Sequence, residues 1–455
     1  MFTILLLFSP LGVTNAQEAT PSGPVYIIQE GDSLWNIAYR FHVSQDALAN
    51  ANGIVNADQI TVGQPLVIPG LEGIQGILTT QFVPYGENLH SLSLQYHISS
   101  QLLKQLNHIT SPNELYAGYS LVVTQNDNPT TVGKRVTLSP GQSMLELAVL
   151  NNTDPWSMMA ENRVENSWEA IPGEVLRAPG KDEGGSGALP PTITSVSLDG
   201  LTQGETAEIQ IIGEADLTIS GSLTEHALNF FPATDDNYIA LQGIHAMAEP
   251  GLYPLVLQFV SHDNPTYRFS QMVLVRAGDF LYDRPLPVDP ATLDPETNRT
   301  ENDLWFASAS TVSPEKLWTG DFFVPVDPVF SDCYASRFGS RRSYNGSDYI
   351  YFHTGLDYCG QVGDPIYAAA PGVVVYTGTL TVRGNATMID HGWGIFTAYM
   401  HQSEILINVG DHVEQGQLIG RAGNTGRVEG PHLHFEVLVG GVQVNPLKWL
   451  NREYP

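Results

Sequence analysis

Near the start of the chain, the spacing of apolar residues alternates between that of a strand and that of a helix, which indicates short secondary-structure elements. An apolar run at 25–28 indicates a strand, and a polar turn around Gly31 follows it. Apolar residues then recur at helical spacing, at Leu34, Trp35, Ile37, Ala38 and Phe41. Ser44 can cap a second helix, and the run at 63–69 reads as a closing strand. The pattern therefore predicts a strand–helix–helix–strand unit.

This unit is repeated along the chain. Three columns of residues recur at a spacing of 55: Gly31, Gly86 and Gly141; Asn52, Asn107 and Asn162; Gly63, Gly118 and Gly173. Three independent columns at one period are hard to obtain by chance, so we infer three copies of one small α+β module. We place them at 25–70, 80–125 and 131–180.

The first copy resembles the LysM module, which binds glycans that contain N-acetylglucosamine. The resemblance rests on "YIIQEGDSLWNIAYRF", "LANANGI" and "ITVGQPLVIPG". It implies a glycan-contacting surface in the loops after the first strand and after the second helix, which here contain Gly31, Asp32, Ser33 and Ile54. The second and third copies are degenerate, so they either bind glycan too or serve as spacers.

The middle of the chain changes character twice. Residues 181–190 are rich in glycine and predict a flexible linker. From 190 to 278, short apolar runs such as "AEIQIIG" and "YPLVLQFV" alternate with turn residues, which is typical of a β-sandwich-like domain. This domain carries no catalytic constellation, so we expect a structural role. Residues 279–325 are rich in Pro, Asp and Thr and predict a connector with one helix.

The last stretch, 326–455, is rich in predicted strands and carries three histidine-bearing segments. They are His353 and Asp357 in "FHTGLDY", His401 in "TAYMH", and His432 and His434 in "GPHLHFEV". Residues i and i+2 of a strand point to one face, so we expect His432 and His434 side by side and Leu433 in the core. The same rule predicts that Tyr399 and His401 share a face.

So many imidazoles on one side need partners, and a zinc ion with three protein ligands and one open position supplies them. An isolated HxH often only decorates a strand edge, and an isolated HxxxD is a weaker signal still. Together in one domain, with a third histidine between them, they indicate a metal site.

These segments resemble the lysostaphin-type, or LytM-type, zinc endopeptidases, which cut peptidoglycan peptides. The match runs in order through "SRFGSRR", "HTGLDY", "GDPIYAAAPGVV", "IDHGWG", "TAYMH", "GQLIGRAGNTG", "GPHLHFEV" and "VNPLKWL". The resemblance implies a mainly antiparallel-β domain in which His353, Asp357 and His434 bind zinc.

The same resemblance makes His401 and His432 the unliganded pair beside the metal. One would be the general base, and the other, when protonated, would stabilise the oxyanion. The sequence does not divide these roles. Tyr399 is a further candidate for oxyanion contact, with packing as the alternative.

Two features depart from the family pattern or add to it. Relatives usually carry small hydroxyl residues before "GPHLH", whereas this chain has Arg427, Val428 and Glu429, which should alter the rim of the cleft and the substrate preference. The two cysteines, Cys333 and Cys359, predict a disulfide in an exported protein, with two buried thiols as the alternative.

Composition and the N-terminal residues bear on location. The chain has 20 basic and 48 acidic residues and a formal charge of −28, which argues against nucleic-acid binding. Residues 1–16 resemble an export signal, although no Lys or Arg precedes Arg40; a buried strand is the alternative. No later segment is apolar enough to cross a membrane. We therefore expect a secreted protein, extracellular or associated with the cell wall, without stable membrane insertion.

The sequence thus predicts a multidomain, secreted zinc metalloendopeptidase that hydrolyses peptide bonds of bacterial peptidoglycan while its LysM modules hold the wall glycan. One alternative is a non-catalytic wall binder or amidase activator, whose members usually lack the zinc ligands. The other is a zinc peptidase that acts on proteins.

Overall fold

The computed structural model describes residues 23–71, 74, 76–125, 133–181, 184–260 and 266–455. The predicted export signal at 1–16 lies outside them. Within these ranges, no helix has the length and apolar character that a membrane span requires. The chain divides into two compact units, of which the first contains 23–81, 96–108 and 121–125, and the second contains 82–95, 109–120 and the residues from 133 onward.

Each of the three segments predicted as repeats contains short elements in the order strand, helix, helix, strand. Their elements are β1 (Val25–Ile27), α1 (Leu34–Arg40), α2 (Gln45–Ala51), β2 (Pro65–Val67), β3 (Ile77–Phe82), α3 (Leu89–Gln95), α4 (Ser100–Asn107), β4 (Ser120–Thr124), β5 (Lys134–Thr137), α5 (Met144–Leu150), α6 (Pro155–Glu161) and β6 (Val175–Ala178). In the first unit, one sheet has the order β2-β1-β3-β4. In the second unit, β5 pairs with β6.

The repeated asparagines have one structural task. The Asn52 side-chain amide donates to the carbonyls of Leu48 (2.9 Å) and Val67 (2.8 Å), and its oxygen accepts from the Val67 N–H (2.7 Å). Asn107 and Asn162 make the same three hydrogen bonds at the same offsets. The repeated glycines before the closing strand need a left-handed backbone, with φ of 86° at Gly63, 89° at Gly118 and 92° at Gly173. The residues that recur at this period therefore connect the second helix of each copy to its closing strand.

Residues 193–260 and 266–275 contribute two four-stranded sheets, with the orders β10-β9-β13-β14 and β11-β12-β8-β7. Their strands are β7 (Ile193–Asp199), β8 (Thr206–Gly213), β9 (Thr218–Leu223), β10 (His226–Asn229), β11 (Phe231–Thr234), β12 (Asn237–Gly243), β13 (Gly251–Val260) and β14 (Tyr267–Val275). Alternate residues of both sheets, such as Ile209 and Leu257, contribute to one hydrophobic core.

Residues 186–190 of the glycine-rich segment before these sheets are buried, whereas residues 182 and 183 of the predicted linker lie outside the described residues. Ser186, Ala188 and Leu189 are buried, in contrast to the flexible linker that composition predicts for 181–190. The reason is Arg135 on β5, whose guanidinium donates to the carbonyls of Ser186, Leu189, Pro190 and Ile193 at 3.0 to 3.3 Å. A buried guanidinium requires such acceptors, so it orders the segment.

The C-terminal residues form a mainly antiparallel sheet of eight strands. The seven strands of its main path lie in the order β15-β18-β26-β22-β21-β20-β24, and β27 pairs with β26. The elements are α7 (Pro295–Ser308), β15 (Tyr334–Ser336), β16 (Arg341–Arg342), β17 (Tyr351–Phe352), β18 (Leu356–Cys359), β19 (Pro365–Tyr367), β20 (Gly372–Leu380), β21 (Gly384–Asp390), β22 (Ile395–Gln402), β23 (Glu404–Ile405), β24 (His412–Val413), β25 (Leu418–Arg421), β26 (His432–Val439), β27 (Val442–Val444) and α8 (Pro446–Asn451).

The connector predicted at 279–325 takes part in the core of this domain. Trp305 on α7 packs with Phe396 and Leu438, and Trp318 packs in the main core with Trp449. The core of the C-terminal domain therefore extends to residues before the predicted boundary at 326.

Candidate metal centre

The structure brings together the three predicted ligands. Strands β18 and β26 are adjacent, and their register places Asp357 opposite His434, while His353 lies in the turn before β18. The ligand atoms are close to one another: His353 Nε2 to Asp357 Oδ1 is 2.9 Å, Asp357 Oδ1 to His434 Nδ1 is 2.8 Å, and the two nitrogens are 2.9 Å apart. The residues are only 1%, 7% and 6% exposed.

In His353 and His434, the outer ring nitrogen, which points away from the three ligand atoms, has a hydrogen-bond partner of its own. His353 Nδ1 lies 3.0 Å from the carbonyl oxygen of Arg337, and His434 Nε2 lies 3.1 Å from a carboxylate oxygen of Glu436. Each outer nitrogen can therefore donate its hydrogen, which leaves an unprotonated nitrogen free to bind metal at the centre. Two such nitrogens and one carboxylate oxygen, converging in a buried place, are a donor set that fits zinc.

The charges of the group also favour a cation. Burial lowers the pKa of His353 to about 4. Burial opposes protonation of His434 as well, but hydrogen bonds to Asp357 and Glu436 outweigh it and raise its pKa to about 9. The pKa of Asp357 lies well below its usual range, because the neighbouring histidines outweigh the effect of burial. The carboxylates of Asp357 and Glu436 thus favour a positive charge on His434, and a divalent cation bound there can take the place of that proton.

Next to these residues lies the predicted histidine pair. The rings of His401 and His432 are 4.9 Å apart. His401 Nδ1 is 2.7 Å from the carbonyl of Thr425, and His432 Nδ1 is 2.9 Å from that of Gly430, so in the neutral form each Nε2 is the unprotonated atom. Burial, followed by the neighbouring histidines, holds the pKa of His401 well below its usual range.

A β-bulge sets the direction of His401. The pairing of β21 with β22 shifts register between Asn385 and Thr387, and His401 has a φ of 62°, which is unusual for a residue with a side chain. The predicted common face of Tyr399 and His401 is therefore wrong. Tyr399 is fully buried, and its hydroxyl accepts from the Ala369 N–H at 2.7 Å, so it packs in the core instead of facing the site. Leu433 is buried in the core as predicted.

Two polar residues beside the ligands were not singled out from the sequence. Arg342 on β16 donates to the second oxygen of Asp357 (3.2 Å) and also to Asp283 (3.2 Å). Glu436 follows His434 by two residues on β26, so the same strand periodicity that selects the histidines could have found it. Arg342 and Asp283 are joined by tertiary pairing, for which the sequence carries no local signal.

The predicted disulfide is present. Cys333 is bonded to Cys359 on β18, with their Cα atoms 5.4 Å apart. The Cys359 N–H also donates to the Cys333 carbonyl at 3.0 Å. The bond therefore holds the segment before β15 beside the strand that carries Asp357.

Two cavities lie against the metal centre. One of about 340 Å³ is lined by His432 and Asp357, and the other, of about 540 Å³, by Thr354 and Glu436; both reach His434. Residues of the predicted connector line both cavities, among them Leu286 in the first and Leu293 in the second. The cleft is therefore built partly from residues outside the predicted peptidase boundary.

The predicted glycan loop of the first copy is held by hydrogen bonds within the module. Asp32 accepts from the Tyr26 hydroxyl (2.7 Å) and the Gln29 N–H (2.8 Å), and Ser33 caps α1. Gly31 has a φ of 84°, and Ile54 packs against the module's core. The side chains of Asp32 and Ser33 are thus engaged in hydrogen bonds within the module itself.

The corresponding loop of the second copy is covered. The Ala188 N–H donates to the Gly86 carbonyl (2.9 Å), and the Gly187 N–H donates to the Glu87 carboxylate (2.7 Å). A side chain at Gly86 would meet Leu189 and Ser186 at 2.5 to 2.7 Å. Residues 186–189 therefore cover the loop around Gly86 and Glu87.

Comparison with known proteins agrees with this geometry. Residues 351–446 match peptidase family M23, and residues 26–69 and 83–124 match the LysM domain. The chain is 43% identical over 124 residues to peptidoglycan DD-endopeptidase ShyA of Vibrio cholerae serotype O1, which is 27% of this chain and 28% of that relative. It is 44% identical over 95 residues to DD-carboxypeptidase/endopeptidase Mpg of Neisseria meningitidis serogroup B, or 21% of this chain and 22% of that relative.

The chain thus spans less than a third of the length of these curated relatives. Among solved structures, the antimicrobial peptidase lysostaphin from Staphylococcus simulans is 34% identical, with a TM-score of 0.21; the match covers 22% of this chain and 43% of that one. The predicted resemblances to a LysM module and to a zinc endopeptidase of this kind are confirmed by the two family matches.

Proposed function

We propose that this chain, which carries a peptidase family M23 domain and two LysM domains, is a zinc endopeptidase that hydrolyses peptide bonds of bacterial peptidoglycan. The observation that carries the proposal is the convergence of His353, Asp357 and His434 beside the pair His401 and His432 in a cleft. A wall binder or amidase activator has no need of a complete ligand set with an adjacent base.

The chemistry follows from the positions of these side chains. His353, Asp357 and His434 would hold zinc, which would supply Lewis-acid polarisation of the scissile carbonyl and make a neighbouring water molecule more acidic. His401 is neutral, and its Nδ1–H is held by the Thr425 carbonyl, so its Nε2 accepts the proton of the attacking water. His432, when protonated, donates from Nε2 to the developing oxyanion. His401 then returns its proton to the leaving amine.

The three repeats differ in what they offer to glycan. We assign binding to the first copy, through Gly31, Asp32, Ser33 and Ile54. The second copy acts as a docking module, because residues 186–189 cover its loop. The 134–178 unit is a third LysM-like module; its Gly141 is open to solvent. Binding of N-acetylglucosamine-containing glycan by the open copies would raise the local concentration of the peptidase at its insoluble substrate.

The domain before the peptidase and the location of the protein are also part of this proposal. The two sheets at 193–275 form a sandwich-like spacer that positions the peptidase. Trp449 of α8 donates to the Thr206 hydroxyl at 3.0 Å, a contact that fixes the C-terminal domain against this spacer. Because the substrate is a wall polymer, we place the protein outside the cytoplasm, secreted or associated with the wall.

Digestion of purified peptidoglycan by the full chain, followed by mass spectrometry, tests the proposal. We expect new amino termini without new reducing sugar ends, and loss of both products after chelation and in His353→Ala. The matched control is His412→Ala, an exposed histidine of the same domain, which should stay active. Wall that remains intact although zinc is bound would favour the non-catalytic binder, and faster cleavage of a protein substrate would favour a protein-directed peptidase.

A further inference from the structure

Four arginines surround the cleft, and they differ in how their charge is balanced. Three have carboxylate partners: Arg342 with Asp283 and Asp357, Arg383 with Glu301, and Arg284 with Glu429. Arg427 has none among the residues that the structure describes. In a chain with a formal charge of −28, an arginine without an acidic partner at the active-site cleft is unexpected.

The contacts of Arg427 hold its guanidinium in place but pair only one of its nitrogens with an acceptor in the part of the chain that the structure describes. Its plane lies over the Tyr344 ring, 4.6 Å from the ring centre, and one nitrogen donates to the Thr292 carbonyl at 3.2 Å. A guanidinium has five N–H donors, so most of them have no acceptor within the described ranges of the chain. The side chain is pre-oriented and retains free hydrogen-bonding capacity.

The position of Arg427 is next to the chemistry. It lines both cavities that reach the metal ligands, together with Tyr344, His401 and His434. This half-buried side chain therefore lies within reach of an extended peptide that occupies both cavities.

We propose that Arg427 binds a free carboxylate of the peptide substrate and makes the enzyme selective for bonds that have such a carboxylate beside them. The inference rests on the proposed function and names the substrate class of that same site. A planar guanidinium pairs with a carboxylate through two parallel hydrogen bonds, which gives the contact both strength and a defined geometry. Arg427 is the cleft arginine without an acidic partner among the described residues, so its charge can discriminate between an acidic peptide and its neutral counterpart.

The test compares two substrates on the zinc-loaded full chain. One is a crosslinked stem-peptide dimer released from bacterial wall, and the other is the same dimer with its free carboxylates converted to amides. Wild type should prefer the acidic dimer in kcat/KM by about 10- to 100-fold, the range expected for a hydrogen-bonded charge pair. Arg427→Gln should lose this preference, because its kcat/KM should fall far more for the acidic dimer than for the amidated dimer while its zinc content stays normal.

Two further variants separate recognition from structure. Arg427→Lys keeps the charge and should restore part of the preference. Arg299→Gln removes an exposed arginine on α7, outside both cavities, and should behave as wild type. Equal slowing of both dimers by Arg427→Gln would overturn the inference, because it would mean that Arg427 only fixes the cleft wall. Equal cleavage of both dimers by wild type would overturn it as well. If wild type cuts neither dimer, the proposed function itself fails.

Discussion

Removal of the Glu436 carboxylate should weaken zinc binding, although Glu436 is not a ligand. Its side chain is 1% exposed, and one oxygen lies 3.1 Å from His434 Nε2. Burial opposes ionisation of Glu436, but the hydrogen bond to His434 outweighs it and lowers the pKa of the carboxyl, so the group is an anion at neutral pH. It holds the imidazole so that Nδ1 faces Asp357 and the centre.

The magnitude follows from the hydrogen bond that Glu436→Ala removes. The variant leaves the outer N–H of His434 buried and unpaired, and loss of such a partner typically lowers metal affinity by about 10- to 100-fold. That range corresponds to about 1.4 to 2.7 kcal/mol of binding free energy. Glu436→Gln retains an acceptor, so we expect a smaller loss, of about tenfold or less.

The assay is competition for zinc between the full chain and a chelator of known affinity. Glu301→Gln is the matched control, because Glu301 is also a buried glutamate, held by Arg383 and the Val382 N–H, and does not contact a ligand. It should lower the free energy of unfolding while zinc affinity stays unchanged. A folded Glu436→Ala variant that binds zinc as tightly as wild type would refute the orienting role.

Three further predictions concern catalysis and stability. His401→Ala should lower kcat by about 10²- to 10⁴-fold with one zinc still bound, as steady-state kinetics and metal analysis would reveal; retained kcat would remove His401 as the base. Changing both Cys333 and Cys359 to Ser removes a disulfide whose cysteines are 26 residues apart, and denaturant titration should show a loss of about 3 kcal/mol in the free energy of unfolding. An unchanged free energy of unfolding would mean that the bond does not stabilise the fold. Asn162→Ala removes the acceptor of the buried Arg177 N–H and should lower the free energy of unfolding by about 2 to 3 kcal/mol. A thermal midpoint equal to that of wild type would contradict the role given to the repeated asparagines.

Local periodicity accounts for what the sequence predicts well. The alternation of a strand places His432 and His434 on one face, and the fixed spacing of the repeats reflects the hydrogen bonds of Asn52 and its counterparts. Both signals lie within a few residues or recur at one period. The ligand set itself came from the family resemblance, since the pairing of Asp357 with His434 joins distant strands.

Long-range contacts account for what the sequence could not predict. A single bulge reversed the expected relation of Tyr399 and His401, because strand alternation holds only where the pairing is regular. Glycine content predicted a flexible linker, but composition does not report that Arg135 supplies donors to its carbonyls. The connector joined the core through Trp305 and Trp318, since low apolar content over a segment does not reveal where its few large side chains pack.

The central claim is that one metal ion at His353, Asp357 and His434 makes this chain a peptidoglycan peptidase. The most direct measurement is stepwise titration of zinc into the metal-free full chain while new amino groups released from purified wall are counted. Activity should be absent at the start, rise in proportion to added zinc and level off at one zinc per chain, and His434→Ala should abolish the rise. Full release of amino groups before any zinc is added, or a rise that survives in His434→Ala, would contradict the account.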